Sequence, residues 1–143
     1  MRKYLFVLLA ATTFVFSSCT IGQTKTLSTK LTATEFAKKI KKLPSALIID
    51  VRTPAEFSKG HLKNSFNYNW NGSEFQNQIS KLDKSKPVFV YCLSGGRSSS
   101  AANQMRSNGF KQVCELSGGI MDWRAANLPE TTNTTISSTG MSK

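Results

Sequence analysis

The chain has 143 residues, of which 39% are hydrophobic and 19% charged. This length suits one domain and is too short for two, and the composition is that of a globular protein with a buried core. The formal net charge of +11 at pH 7 is consistent with anionic substrates or anionic lipid as partners, but solvated helix faces are the commoner origin of such a charge. Because no aromatic residues are interleaved among the lysines, we exclude nucleic acid as a partner, and we expect a monomer.

The N-terminal segment has the pattern of a secretory signal peptide. Arg2 and Lys3 precede an apolar stretch, residues 5–16, that is shorter than the ~20 residues of a membrane-spanning helix. The small residues Ser17 and Ser18 follow, and then Cys19. We therefore predict that residues 1–18 are a signal peptide and that the protein is exported.

The residues before Cys19 resemble the end of a bacterial lipoprotein signal, although Phe16 stands where that signal usually has leucine. The resemblance implies that Cys19 is lipidated and anchors the protein to a membrane of the bacterial cell envelope or periplasm. The alternative is ordinary cleavage near Cys19, which leaves a soluble secreted protein. The chain has three cysteines in all, and this odd number argues against a disulfide framework.

Polar segments flank the predicted domain. Residues 19–30 are rich in threonine and have no periodicity, which predicts a tether. Residues 128–143 are rich in serine and threonine and poor in apolar residues, which predicts a disordered tail. The domain is therefore expected to occupy residues 31–127.

The domain begins with two helix-start signals on either side of a strand signal. In "LTATEFAKKIKK", Thr32 is the predicted N-cap and Glu35 follows three residues later, as in a capping box. "ALIID" is a short apolar run, typical of a strand that is buried on both faces. "TPAEF" repeats the helix-start signal with Thr53, Pro54 and Glu56.

Strands and helices alternate along the rest of the domain. After a connecting stretch, Phe75, Ile79 and Leu82 are spaced for an amphipathic helix. The strand "PVFVYC" leads to a helix that stops at Gly109, and the strand "QVCEL" leads to the closing helix "GGIMDWRAA". This alternation predicts an α/β fold in which helices cover both faces of a parallel sheet. Ligands of such sheets bind beyond the carboxyl ends of the strands, where Cys92 lies.

The stretch "CLSGGRS" has the features of an anion-binding loop around a nucleophile. Cysteine reacts as its thiolate, which is stabilised beside a positive charge or a helix N-terminus. Both are predicted here, since a helix follows Cys92 and an arginine adds a cation. The glycine pair lets successive amides face inward as a nest, and the serines add hydroxyl donors. The predicted loop consists of Leu93, Ser94, Gly95, Gly96, Arg97 and Ser98.

Three motifs resemble those of the rhodanese domain, a sulfurtransferase fold. They are "DVRTPAEFSKGHL", "CLSGGRS" and "GFKQVCELSGGIMDW", in the family's order, and the resemblance spans residues 31–127. Departures are Leu62 in place of isoleucine and "KNSFNY" where the family usually has a Gly-Ala pair. The matching residues are Asp50, Val51, Arg52, Glu56, Phe57, Gly60, His61, Cys92, Gly95, Arg97, Ser98, Gly109, Phe110, Val113, Leu116, Gly118, Gly119 and Trp123.

The resemblance implies a three-layer rhodanese-like fold and a two-step sulfur transfer that needs no metal or organic cofactor. The thiolate of Cys92 takes the outer sulfur of a donor such as thiosulfate, and sulfite leaves. Amides from Leu93 to Ser98 then hold the cysteine persulfide, which passes its sulfur to an acceptor. The acceptor is cyanide in an assay and a thiol in the cell.

Two other functions are consistent with parts of the pattern. Cysteine-dependent phosphatases and arsenate reductases place five residues between cysteine and arginine, whereas four lie between Cys92 and Arg97. The wider loop holds an oxyanion, and the narrower one suits a single sulfur. The other alternative is a rhodanese-like module that binds sulfur or a partner without turnover.

Residues outside the loop are expected to support it rather than to react. Asp50 and Arg52 follow a strand, so we expect an ion pair or hydrogen bonds that brace the neighbouring loops. His61 is far in sequence from the nucleophile and is expected to be a hydrogen-bonded structural residue. Glu56 fits a helix cap better than an acid. Cys114 is expected to be a buried strand cysteine, and it would act as a resolving thiol only beside the nucleophile.

Overall fold

The computed structural model describes residues 30–132. The elements in this range are β1 (Lys30–Leu31), α1 (Ala33–Lys42), β2 (Leu47–Asp50), α2 (Pro54–Ser58), β3 (Ser65–Asn67), α3 (Phe75–Ser80), β4 (Val88–Tyr91), α4 (Gly96–Ser107), β5 (Val113–Leu116) and α5 (Gly119–Ala125). The predicted signal peptide, Cys19, the tether up to residue 29 and the tail from residue 133 lie outside it. No helix between residues 30 and 132 combines the length and apolarity that crossing a bilayer requires.

The strands form one parallel sheet in the order β1-β5-β4-β2-β3. The strand β4 lies at the centre, between β2 and β5. Its side chains alternate between the two faces, with Val88 and Val90 on one face and Phe89 and Tyr91 on the other. Because both faces are covered, "VFVY" is apolar at every position.

Helices cover both faces of the sheet, which confirms the predicted α/β fold. The helices α3 and α4 pack on one face, and α1 and α5 pack on the other. On the second face, Phe36 makes edge-to-face contacts with Phe89 and Trp123, at 5.2 and 6.4 Å between ring centroids. The core beneath α3 and α4 contains all three apolar residues predicted for the amphipathic helix, which are Phe75, Ile79 and Leu82.

Both predicted capping boxes are present. At the start of α1, the Glu35 amide donates to the Thr32 hydroxyl at 3.4 Å, and the Thr32 amide donates to the Glu35 carboxylate at 2.9 Å. Thr53 and Glu56 make the same pair of bonds at the start of α2, at 3.3 and 3.0 Å. These bonds satisfy amides that the first turn of a helix leaves unpaired.

Two short strands are not predicted by the sequence pattern. Lys30 pairs with Glu115 of β5, so it belongs to the sheet and the prediction that it lies in the tether is wrong. The strand β3 pairs with β2 within the stretch that was predicted only as a connection before α3. Strands of two and three residues are too short to show a hydrophobic alternation in the sequence.

The segment 128–132 lies against the domain, so the prediction that a disordered tail begins at residue 128 is corrected. Leu128 packs on the core beneath α1 and α5, and the Trp123 indole donates to the Pro129 carbonyl at 3.1 Å. Thr131 exchanges two backbone hydrogen bonds with His61, at 2.9 and 2.8 Å. One apolar residue and a few backbone bonds leave no periodic signal in a polar sequence, which explains the difference.

Removal of these contacts is expected to destabilise the domain. A chain that ends at Asn127 loses the packing of Leu128 and the hydrogen bonds of Pro129 and Thr131, so its free energy of unfolding should fall by about 2–4 kcal/mol. A chain that ends at Thr132 keeps these contacts and is the control. Urea denaturation followed by circular dichroism measures the difference. Equal midpoints for the two chains would contradict the placement of this segment.

Candidate active site

Cys92 lies at the carboxyl end of the central strand, and its side chain is buried. The strand β4 ends at the preceding residue, and Cys92 is 0% exposed. The helix α4 begins at Gly96. The predicted anion-binding loop is therefore a turn, residues 93–95, followed by the first turn of α4, residues 96–98. This arrangement aims the N-terminus of a 12-residue helix at the site.

Hydrogen-bond donors converge on the sulfur of Cys92. The Gly95 amide donates to Sγ at 3.1 Å, and the Ser98 hydroxyl lies 3.4 Å from the same atom. Gly95 has a φ of +101°, a left-handed conformation that favours glycine, and in this conformation its amide reaches the sulfur. No side chain caps the start of α4, so the first amides of the helix are left to the loop.

The pKa of Cys92 is lowered even though the thiol is buried. Burial is the largest single influence and raises the pKa, because the interior solvates a charge poorly. Hydrogen bonds from the Ser98 hydroxyl and from the amides of Ser98, Gly95 and Ser94 act in the opposite direction, and together they outweigh burial. The site therefore favours the thiolate, which is the nucleophilic form of cysteine.

The first turn of α5 fixes the backbone of the Cys92 loop. The Ile120 amide donates to the Cys92 carbonyl at 2.9 Å, and the Met121 amide donates to the Leu93 carbonyl at 3.2 Å. Gly119 approaches so closely that a Cβ there would lie 2.6 Å from the Cys92 carbonyl oxygen. Its φ is +64°, so both conformation and space require glycine at this position.

Arg97, which is predicted to add a permanent cation, is held by Glu56. Its guanidinium makes two hydrogen bonds to the Glu56 carboxylate, Nη1 to Oε2 at 2.8 Å and Nη2 to Oε1 at 2.7 Å. The pKa of Arg97 is raised chiefly by this hydrogen bonding and only to a lesser extent by the charge of Cys92. Opposite charges at the starts of two predicted helices are the signal that could have revealed the pair.

A second ion pair braces the loop between α2 and β3. Arg52, which is 2% exposed, donates from Nη2 to Asp50 at 2.6 Å and from Nε to both carboxylate oxygens at 3.0 Å. Nη2 also donates to the Gly60 carbonyl at 2.7 Å. The expected ion pair between Asp50 and Arg52 is therefore present, and it joins the end of β2 to the backbone near His61.

His61 is directed to α2 and not to the nucleophile. Its Nδ1 lies 2.9 Å from the Phe57 carbonyl oxygen, and its ring stacks on the Phe57 ring at 3.7 Å between centroids. Its backbone pairs with Thr131. These are the contacts of a structural histidine.

Cys114 lies across the sheet from the nucleophile. Its side chain belongs to the core beneath α1 and α5, whereas Cys92 belongs to the core beneath α3 and α4. Cys114 is therefore a buried strand cysteine and is not placed to resolve a persulfide on Cys92. It accepts a hydrogen bond from the Lys39 ammonium at 3.2 Å, a contact that no sequence motif indicates.

A cavity of about 280 Å³ adjoins the Cys92 loop. It lies between the first turn of α4 and the turn after β5. Three hydroxyl-bearing residues line it, Ser94, Ser99 and Ser117, together with Gly95 and Gly118. Lys30, Glu115 and Leu116 also line the cavity, so it offers charged, hydroxyl and apolar groups beside the loop that follows Cys92. No sequence pattern predicts it.

The Glu56–Arg97 pair should make stability depend on pH in acid. Hydrogen bonds from Arg97 are the main cause that lowers the Glu56 pKa from 4.5 to about 2, so the pair stabilises the fold above about pH 4.5 and this stabilisation is lost as the pH falls toward 2. We expect Glu56→Gln to be less stable at pH 7 and to lose less further stability in acid.

Thermal denaturation between about pH 7 and pH 2 measures this dependence. Glu35→Gln is the matched control, because it alters the other capping box and leaves the pair with Arg97 intact. An acid dependence in Glu56→Gln as steep as that of the wild type would contradict the assignment.

Known proteins with similar sequences include a sulfurtransferase. The chain is 37% identical over 79 residues to the thiosulfate sulfurtransferase GlpE of Coxiella burnetii, which covers 55% of this chain and 72% of that protein. It is 37% identical over 78 residues to the tRNA uridine(34) hydroxylase of Pelagibacter ubique, which covers 54% of this chain. The chain spans only 26% of the length of that hydroxylase.

The fold and a family profile agree with these similarities. A crystal structure of a rhodanese-related protein from Thermoplasma volcanium has a TM-score of 0.65 and 27% identity, covering 73% of this chain and 98% of that one. The profile of the rhodanese-like domain matches residues 32–126, a range that includes Cys92, its loop and both ion pairs near it. The chain therefore belongs to the rhodanese-like domain family.

Proposed function

We propose that the protein is a sulfurtransferase that carries a sulfane sulfur on Cys92 as a persulfide. The observation that carries this proposal is the convergence of the Gly95 amide and the Ser98 hydroxyl on a buried sulfur whose pKa is lowered. The family, with relatives named thiosulfate sulfurtransferase, supports an enzyme of the sulfurtransferase type. The donor, the acceptor and the persulfide itself are parts of the proposal.

In the first step, the Cys92 thiolate attacks the outer sulfur of thiosulfate. A new S–S bond forms to Cys92, and the S–S bond of thiosulfate breaks with its electron pair going to sulfite, which leaves as a dianion. No external oxidant or reductant is needed, because the transferred sulfur arrives at the oxidation level that it keeps. The lowered pKa of Cys92 supplies the thiolate that this attack requires.

The loop then stabilises a charged persulfide. Its terminal sulfur lies one bond beyond the sulfur of Cys92, so it extends into the space enclosed by the amides of the turn and of the first turn of α4. Amide N–H groups and the dipole of a 12-residue helix are held in place before the charge arrives, which makes them efficient at stabilising an anion. The bonds from Ile120 and Met121 to the loop carbonyls preserve this geometry.

In the second step, an acceptor removes the outer sulfur. Cyanide or a thiolate attacks the terminal sulfur, the S–S bond to Cys92 breaks, and its electron pair returns to Cys92 as the thiolate. The products are thiocyanate or a new persulfide, and the protein is regenerated. The same donors that favour the Cys92 thiolate at the start make it a good leaving group here.

The arrangement of Arg97 favours sulfur transfer over phosphate chemistry. An arginine that binds a phosphate uses the two-pronged face of its guanidinium. In this protein both terminal nitrogens of the Arg97 guanidinium donate to the Glu56 carboxylate, Nη2 at 2.7 Å and Nη1 at 2.8 Å. The loop therefore offers amides and hydroxyl groups, without the paired end of the Arg97 guanidinium, and these groups suit the terminal sulfur of a persulfide.

The mass of the intact chain tests the proposal. After incubation with thiosulfate, we expect the purified full chain to gain the mass of one sulfur atom and to lose it again on addition of cyanide. Cys92→Ser is the control, since it retains Cys19 and Cys114 and should gain nothing. No gain with thiosulfate or polysulfide would overturn the proposal in favour of a binding module or, if phosphate esters are hydrolysed, a phosphatase.

The hydroxyl of Ser98 should set the pH at which Cys92 reacts. Its hydrogen bond lowers the Cys92 pKa, so Ser98→Ala should raise that pKa and shift the pH profile of persulfide formation to higher pH. At pH 7 the variant should therefore react more slowly. Stopped-flow mixing with thiosulfate across the pH range measures the profile. Ser100→Ala, on the exposed side of the same helix, is the control, and identical profiles for both variants would contradict the role of Ser98.

The N-terminal pattern extends the proposal to the place of action. We propose that the protein is exported and anchored through a lipid on Cys19, so that sulfur transfer takes place in the bacterial envelope. Residues 1–29 lie outside the described range, and the sequence pattern alone supports this part.

A further inference from the structure

Three loops meet at the edge of the sheet where the parallel strands begin, which is opposite the candidate active site. They precede β2, β4 and β5 and consist of residues 43–46, 81–87 and 108–112. The first amides of β2 and β4 donate to the neighbouring loops, each at 2.9 Å, and the Lys111 amide donates to the Lys84 carbonyl at 3.1 Å. These bonds hold the three loops together as one surface.

This surface carries an excess of exposed lysines. The helix α1 also ends there and contributes its last two residues. Asp83 is the one acidic residue among these two residues and the three loops, and its carboxylate already accepts hydrogen bonds from the amide and the hydroxyl of Ser85, at 3.0 and 2.6 Å. We refer to the six lysines as the basic edge, and they are Lys41, Lys42, Lys81, Lys84, Lys86 and Lys111.

The basic edge is not a solvated helix face of the usual kind. Four of its six lysines lie in loops, and the six come from three separate parts of the chain. At the opposite edge, by contrast, Arg52 and Arg97 are each paired with a carboxylate. The basic edge therefore concentrates positive charge on the side of the domain that faces away from Cys92, where it attracts an extended anionic surface.

The composition of the basic edge favours a lipid surface over a protein partner. The centres of protein interfaces are rich in apolar and aromatic side chains and depleted in lysine. Between residues 30 and 132, the exposed large hydrophobic side chains are Leu93 and Met121, whose backbones are joined at the Cys92 loop. The basic edge therefore lacks the apolar centre that a protein partner requires. Lysines, as flexible point charges, bind anionic headgroups without such a centre.

The path of the chain is consistent with a membrane at this edge. Because β1 is parallel to β5, the chain enters the domain running from the basic edge toward the Cys92 edge. The segment from Cys19 to Lys30 can extend to at most about 40 Å, which is close to the diameter of a domain of this size. An anchor at Cys19 therefore leaves the orientation of the domain open, and the basic edge supplies the second contact that fixes it.

We infer that the basic edge binds the headgroups of anionic phospholipids and thereby turns the Cys92 loop away from the membrane. The loop and the basic edge lie at opposite ends of the same strands, so substrates approach Cys92 from the aqueous side. The choice of a membrane as the partner rests on the proposed export, whereas the basic edge itself is independent of sulfur transfer on Cys92.

The reactivity of single lysines tests this orientation. The full chain is labelled with an amine-reactive reagent beside vesicles of phosphatidylcholine, with and without phosphatidylglycerol, and each lysine is followed by peptide mass spectrometry. Anionic vesicles should slow the labelling of the basic edge severalfold. Lys59 is the internal control, because it is exposed and adjoins Gly60, whose carbonyl is bound by Arg52. Equal slowing at Lys59, or none at the basic edge, would overturn the inference.

Charge reversals at the two places test the affinity. Lys84→Glu and Lys59→Glu change the net charge equally, and both side chains are exposed. Lys84→Glu should weaken binding to anionic vesicles about tenfold or more, whereas Lys59→Glu should change it by about twofold at most. Because the apolar stretch at residues 5–16 can bind lipid in every variant, the quantity compared is the ratio of binding to anionic and to neutral vesicles. The same ratio in both variants would contradict the inference.

Further outcomes separate this inference from the proposed sulfur transfer. Normal loading of Cys92 with thiosulfate, together with vesicle binding that Lys84→Glu leaves unchanged, overturns the membrane contact alone. Failure to load, together with protection of the basic edge by anionic vesicles, overturns the sulfurtransferase proposal and supports the membrane contact. Protection of the basic edge in the absence of vesicles, with a dimer in light scattering, would assign it to self-association and overturn the inference.

Discussion

The structure at the carboxyl edge of the sheet depends on one interaction, the stabilisation of the buried Cys92 sulfur by hydrogen-bond donors. The central strand delivers Cys92 to the carboxyl end of the sheet, where burial alone would favour the neutral thiol. The Gly95 amide, the Ser98 hydroxyl and the start of α4 reverse that preference. The turn after Cys92 must therefore keep a single backbone conformation. Gly119 packs closely against this turn, and the next two amides hydrogen-bond to its carbonyls, so the conformation is fixed.

The ion pairs around the site have the same role, which is to position the elements that carry the loop. Each arginine near the site is committed to a carboxylate, as Arg97 is to Glu56 and Arg52 is to Asp50. These pairs connect α2, α4 and the end of β2, so they position the elements that bear the loop rather than contact a ligand. The pKa of Cys92 is lowered by the Ser98 hydroxyl and then by the amides of Ser98, Gly95 and Ser94. Donors that are fixed in this way cost little reorganisation when charge moves from one sulfur to the next.

Local signals account for what the sequence predicted well. The signals are capping boxes, runs of apolar residues and the glycines of the loop, all of which depend on neighbours within a few positions. The sequence therefore predicts the helix starts, the central strands and the position of Cys92. The remainder depends on partners distant in the chain. Glu56 and Arg97 are 41 residues apart, β1 and β3 are two and three residues long, and Leu128 packs from a polar segment. Apart from the opposite charges of Glu56 and Arg97, none of these features has a period or a local motif in the sequence.

A titration of the Cys92 thiol tests the central claim most directly. The difference in thiolate absorbance between the full chain and Cys92→Ser, followed from about pH 4 to pH 10, isolates the ionisation of this one cysteine. We expect the pKa of Cys92 to lie below that of an ordinary cysteine, despite complete burial, because the hydrogen bonds outweigh desolvation. A Cys92 pKa at or above the ordinary value would contradict it, since burial would then prevail and the loop would not stabilise a sulfur anion.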